Sequence, residues 1–222
     1  MVDLPNSWEK LLEEHWEHIK IKNVDVISPQ NILSKKRTFS LIFKVPVKAS
    51  GKIYKYLEET IPERLKRQMI LQPWKGYHFT VQWSPEESLK DKNISQVIEK
   101  LQVLLVEFPP IKGDLLFPFF GRAGLLGIFK TETDKEFFHL RQKVNEVLKS
   151  FNLPLGVPPK YSDLAYLSLT RYKESFTPKD KQFLKNLSVN KTPSIVFSEA
   201  LLVLNDKFMT SKNTKIFKKL TL

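Results

Sequence analysis

The 222-residue sequence contains no cysteine. That excludes disulfides and thiolate metal sites and fits a reducing compartment. Glycine is also scarce, with seven residues, and no glycine-rich phosphate loop occurs. No apolar run is long enough for a signal peptide or a membrane span, and the first residues carry Asp3, Glu9, Glu13 and Glu14. A soluble cytoplasmic protein without a membrane partner is therefore expected. No Ser-His-Asp signature and no carboxylate cluster of metal-ligand spacing appears, so no metal site and no cofactor are expected. Acidic residues are the minority, 24 against 36 Lys and Arg, giving a formal charge of +12. This balance favours polyanionic partners such as RNA or nucleotides, against the plainer reading of a solvated basic surface.

What is present is a hydrophobic content of 41%, enough for a sizeable core. Trp8, Leu11, Leu12, His15, Trp16 and Ile19 recur at helical spacing, which predicts an amphipathic helix over residues 8–19. Residues 1–34 are read as a helical extension packed on the body, and residues 35–222 as one two-lobed domain. The run 38–45 has strand composition, ended by Pro46. A helical stretch over 52–68 contains Pro62, which marks a possible second helix start, with Thr60 and Glu63 as a candidate capping box. Helices are also expected over 94–108 and from Thr133, with strands over 111–117, 123–129, 194–204 and 214–222. Thr177, Pro178 and Asp180 form a helix N-terminal signal.

Two further strands carry the chemistry. In Tyr77-His78-Phe79-Thr80-Val81-Gln82-Trp83, alternation puts His78, Thr80 and Gln82 on one polar face and the aromatics, Trp83 included, on the other. In Leu164-Ala165-Tyr166-Leu167-Ser168-Leu169-Thr170-Arg171, the same rule aligns Tyr166, Ser168 and Thr170. An imidazole two residues before a hydroxyl, about 6.5 Å along the pleat, can place a proton carrier and a hydrogen-bond donor on one small anion such as phosphate.

His78-Phe79-Thr80 and Tyr166-Leu167-Ser168-Leu169-Thr170-Arg171, in this order and in strand context, resemble the paired H-x-[ST] and H-x-[ST]-L-x-R motifs of the 2H phosphoesterase superfamily, which includes the 2′-5′ RNA ligase and cyclic phosphodiesterase proteins. The segments 120–128 and 197–204 also look like strands of that family, and the resemblance covers about residues 38–222. It implies an α+β fold of two pseudo-symmetric lobes, each an antiparallel sheet backed by helices, with the motifs facing each other across a cleft. It further implies metal-independent chemistry on 2′,3′-cyclic or 2′-5′ phosphodiesters of RNA or nucleotides. His78 would be a general acid or base, and Thr80 and Ser168 phosphate ligands. The alternative is an impaired module that binds RNA ends or nucleotides without turnover.

Tyr166 departs from the motif by replacing its leading histidine. A phenol, with a pKa of about 10, is a donor at neutral pH and a poor base. Three readings stand open: general acid with His78 as base, phosphate ligand, or space filler in a site that has lost catalysis. Arg171 lies an odd number of residues beyond Tyr166, so a regular strand aims it away from the cleft. The resemblance makes it a phosphate-binding candidate that requires the strand to end or twist. Tyr172 falls on the Tyr166 face by the same count and is the candidate for base stacking, ahead of Trp74, Trp83 and Phe129. Lys35, Lys36, Arg37 and Lys75 are candidate RNA-attracting cations, each with a solvated surface charge as the simpler reading. His15, His18 and His139 are read as structural or surface residues, and a monomer is expected.

Overall fold

The computed structural model describes residues 6–27, 37–89, 94–131, 135–158, 163–206 and 214–222. Helix α1 (Asn6–Lys22) ends in Lys20 and Lys22, cations that suit the negative end of the helix dipole. Asn23 follows with a φ of 68°, the left-handed conformation that an asparagine tolerates. Its side chain donates to Phe176 O at 3.0 Å and accepts from Phe176 N at 3.2 Å, tying the helix end to a segment 153 residues away.

Strand β1 (Arg37–Lys44) is buried on both faces through its centre. Pro46 caps α2 (Val47–Thr60), so this helix starts earlier than its apolar spacing predicts. Pro62 then caps α3 (Glu63–Arg67), as its position suggests. The Thr60–Glu63 capping box does not form, because proline occupies the cap and Glu63 instead pairs with Lys66 at 2.8 Å. After β2 (Met69–Leu71) come β3 (His78–Pro85), α4 (Ile94–Val106), β4 (Ile111–Phe120), β5 (Leu125–Thr131) and α5 (Glu136–Ser150). The expected start of α5 at Thr133 lies outside the described residues, as do Lys35 and Lys36. Next are β6 (Tyr166–Ser168), β7 (Thr170–Tyr172) and α6 (Pro178–Lys185), where Thr177 Oγ1 accepts from Asp180 N at 3.2 Å. The chain closes with β8 (Asn190–Lys191), β9 (Ile195–Phe197), β10 (Glu199–Asp206) and β11 (Lys215–Thr221).

All strand pairing is antiparallel. The two large sheets have the orders β11-β10-β1-β3 and β6-β5-β4-β8, with β9 also on β4, and β2 pairs with β7 in a separate two-stranded sheet. The single strand expected over 194–204 thus divides at Ser198 and serves both sheets, β9 pairing with β4 and β10 with β1. Helices α4 and α5 pack on each other and against β11 and β3, backing the first sheet, while α1 and α6 lie against β4 in the second. This is the expected α+β arrangement. The main core runs through both sheets, including a cluster of Phe43, Phe79, Phe129 and Phe197 with ring centroids 5.1 to 5.8 Å apart. The two motif strands, β3 and β6, are edge strands that approach each other.

Candidate active site

Register decides which side chains face the site. On β3, His78 lies opposite Lys44 and Thr80 opposite Ile42, but Gln82 pairs with Leu41 and Trp83 with Ser40. Val81 is therefore the extra residue of a β-bulge, and the alternation slips by one beyond it. Gln82, expected beside Thr80, is 1% exposed and turned inward. Trp83, expected in the core beside Phe79, is only partly buried and stands on the His78 and Thr80 side.

The second motif slips in the same way. Tyr166 and Ser168 pair with Ile128 and Leu126 of β5, whereas Thr170, Arg171 and Tyr172 pair with Leu71, Ile70 and Met69 of β2. Leu169, between the two pairings, gives its N–H to Leu125 O at 2.8 Å and accepts Gln72 N at 3.0 Å. Thr170 Oγ1 accepts Leu125 N at 2.9 Å, and Leu169 and Thr170 are both fully buried. Gly124 permits this approach, since a Cβ there would lie 2.0 Å from Thr170 O. With two successive residues turned inward, Arg171 returns to the Tyr166 side. The count that aimed it away assumed an unbroken strand.

The same slip corrects the expectation for Tyr172. It is fully buried between Phe120 and Phe176, at centroid distances of 6.0 and 5.0 Å, and its hydroxyl donates to Gly121 O at 3.2 Å. No ring face remains for a base.

His78 is held by its Nδ1, 2.7 Å from Gly76 O. A carbonyl only accepts, so Nδ1 carries the proton and Nε2 keeps its lone pair. Burial pulls the His78 pKa below the ordinary imidazole value, the Gly76 carbonyl opposes this, and the Arg171 charge lowers it further. Burial likewise lowers the Arg171 pKa, with Tyr166 and Tyr172 acting in the opposite sense. Arg171 is thus near enough to both His78 and Tyr166 to interact with each electrostatically. Arg171 Nε is buried with no hydrogen-bond partner among the described residues.

Arg141, on α5, was not singled out by its sequence context. It is 2% exposed, and its guanidinium donates to Val81 O at 2.6 Å, to Thr80 O at 2.9 Å and to Leu164 O at 3.1 Å. One cation therefore fastens β3 at its bulge to the residues leading into β6. Burial lowers its pKa, with Tyr166 and Asp163 opposing. Only its place in a buried stripe, beside Phe137 and Val144, distinguishes it in the sequence.

Tyr166 is 43% exposed, and its ring meets that of Trp8. Trp8 and Leu11 of α1 form a small cluster with Ile128 and Leu164. Because Ile128 is the register partner of Tyr166, α1 covers part of the very face that carries Tyr166 and Ser168.

The remaining histidines have other surroundings. His18 Nε2 is 3.1 Å from Asp25 Oδ1, Asp25 also pairs with Arg122 at 2.6 Å, and burial followed by Arg122 lowers the His15 pKa. His139 is exposed. Arg37 is 3.9 Å from Glu86, and Lys75 lies 5.5 Å over the Trp74 ring. Among the described residues, no group of three or more His, Asp or Glu side chains is arranged to hold a metal ion, and no helix is long and apolar enough to cross a membrane.

The fold is shared with solved structures of LigT and a phosphoesterase. The chain is similar to LigT of E. coli complexed with 3′-AMP, at 9% identity and a TM-score of 0.63, over 85% of this chain and 99% of that one. It is similar to TT0787 of Thermus thermophilus, at 14% identity and a TM-score of 0.61, over 84% and 97% of the two chains. A structure described as a phosphoesterase matches at 11% identity and a TM-score of 0.59, over 85% and 99%. No family model and no curated protein matches the sequence. The shared property is therefore the fold, an α+β LigT-like scaffold.

Proposed function

We propose that the cleft between β3 and β6 takes 2′,3′-cyclic or 2′-5′ phosphodiesters of RNA or nucleotides and hydrolyses them without a metal. The observation that carries this reading is the buried Arg171 guanidinium. It lies within electrostatic reach of His78 and Tyr166, with an Nε donor that no described residue satisfies. A buried guanidinium with an unused donor suits a phosphate oxygen, which it binds by charge-assisted hydrogen bonds. LigT structures with phosphate, 3′-AMP and ATP provide a parallel on the same fold.

In the proposed reaction His78 Nε2 removes a proton from a water molecule whose oxygen attacks phosphorus. The bond from phosphorus to one ribose oxygen breaks, and the Tyr166 O–H gives its proton to that oxygen. Water is thereby added across one ester bond, leaving a phosphomonoester and a free ribose hydroxyl. The proton on His78 then returns through solvent to the Tyr166 oxygen. Thr80 and Ser168 hold non-bridging oxygens, and Arg171 compensates the charge that develops on them. Base, acid and counter-charge all come from the chain.

The test is turnover of a 2′,3′-cyclic nucleotide and a 2′-5′ dinucleotide in EDTA by the native protein, His78→Ala and Tyr166→His. Turnover by the native protein that His78→Ala abolishes supports the proposal. Activity confined to Tyr166→His would instead identify a binding module, a reading favoured by the edge contact that places Tyr166 against Trp8.

A further inference from the structure

We propose that Trp83 is the platform on which the base of a bound nucleotide stacks. This rests on the phosphate cleft proposed above and identifies the part of the ligand that lies beyond the phosphate. Among the described residues Trp83 belongs to neither buried cluster, and no other aromatic ring packs on it. For so large an apolar side chain such isolation is unusual, because indoles ordinarily contribute to a core or an interface.

Its position follows from the bulge at Val81. Thr80 and Trp83 lie opposite Ile42 and Ser40, which are neighbours on one face of β1, so the two side chains stand one pleat repeat apart, about 6.6 Å. That separation is on the scale of the distance from a nucleotide's phosphate to its base. A phosphate at Thr80 and Arg171 therefore brings a base to the indole.

The ring is also fixed on one side. A Cβ on Gly156 would lie 2.0 to 2.5 Å from the indole carbons Cε2, Cδ2 and Cζ2, so glycine allows the backbone to rest against one ring face. Gly156 N donates to Trp83 O at 2.8 Å, and Ser84 Oγ donates to Pro154 O at 2.6 Å. Gln82, turned inward by the bulge, accepts Val157 N at 2.7 Å on its Oε1 and donates to Asn145 Oδ1 at 2.7 Å. The bulge thus does two things together. It buries the amide that anchors residues 154–157 and delivers the indole they support to the side of His78 and Thr80. A flat aromatic backed on one face by a pinned main chain is pre-ordered for stacking, and stacking accepts any base.

The experiment is a calorimetric titration with adenosine 3′-monophosphate and, separately, with inorganic phosphate. It is run on the native chain and on Trp83→Ala, Trp83→Leu and Trp83→Phe. The native chain binds the nucleotide more tightly than phosphate. Trp83→Ala and Trp83→Leu weaken the nucleotide by about 5- to 150-fold, the range a base–aromatic stack provides, and leave phosphate unchanged. Trp83→Phe recovers most of the loss. If Trp83→Ala fails to fold, the comparison of the leucine and phenylalanine variants reads the same effect at conserved apolar bulk. Equal weakening of nucleotide and phosphate, or an unchanged nucleotide affinity in both non-aromatic variants, overturns the platform. A native chain that binds phosphate but binds the nucleotide no more tightly also overturns it and spares the phosphate cleft. Binding of neither ligand overturns both.

Discussion

The indole of Trp8 meets the ring of Tyr166 edge-on, with centroids 6.2 Å apart and planes at 88°. An aromatic pair in this geometry is stabilising beyond the area it buries. It joins α1 to Tyr166, the first residue of β6. Trp8 is 2% exposed, and truncating a buried tryptophan to alanine costs about 3–5 kcal/mol. Trp8→Ala is therefore expected to lower the urea midpoint and to loosen α1. It should also raise hydrogen exchange across residues 6–22, and exchange unchanged there would show that α1 docks without this contact.

The pH behaviour follows from His78. Its pKa is lowered in the folded chain, so the imidazole stays neutral below pH 6.5, where an unfolded histidine takes up a proton. The unfolded state then binds more protons than the native one. Stability therefore falls as pH drops below about 6.5 and stops falling from this source once the folded pKa is passed. An NMR titration, assigned with His78→Ala, should place this imidazole below the ordinary value. Arg171→Met should move it upward by removing a nearby positive charge. A His78 that titrates above 6.5 contradicts the burial described for it.

Arg171 offers a contrast between charge and shape. Arg171→Lys keeps the charge but loses the planar fork, and Arg171→Met loses both. Phosphate affinity is expected to fall by about 10- to 100-fold in Arg171→Met, the scale of a charged hydrogen bond, and by less in Arg171→Lys. Titration with inorganic phosphate measures both, and an unchanged affinity in Arg171→Met removes this residue from the site.

Arg141 should matter for a different reason. Its guanidinium satisfies the carbonyls of Thr80, Val81 and Leu164, so Arg141→Met leaves three main-chain acceptors without that donor. Breaking a buried charged network of this kind costs about 3–5 kcal/mol. Lysine should not restore it, because one ammonium cannot reproduce the fork. Denaturant unfolding gives the cost, and an Arg141→Lys variant as stable as the native chain would show that charge alone suffices.

Much of the fold was legible because it depends on local pattern. The helical spacing around Trp8 and Ile19, the N-terminal signal at Thr177-Pro178 and the break at Pro62 all correspond to elements found in the structure. β2 and β8 gave no comparable signal, since strands of three and two residues are too short to show a period and are held by their partners, β7 and β4.

By itself the sequence determined the two motif strands and their order, because these depend on residue identity and on spacing along the chain. The tertiary structure decided which side chains share the site. A one-residue slip at Val81 exchanges Gln82 for Trp83, and another at Leu169 brings Arg171 to the Tyr166 side while burying Tyr172. A bulge is a relation between strands, set by the register of β1 against β3 and by the transfer of the second motif from β5 to β2. Alternation counted along one strand carries no record of its partner, so the side chains beyond each slip were assigned to the wrong faces.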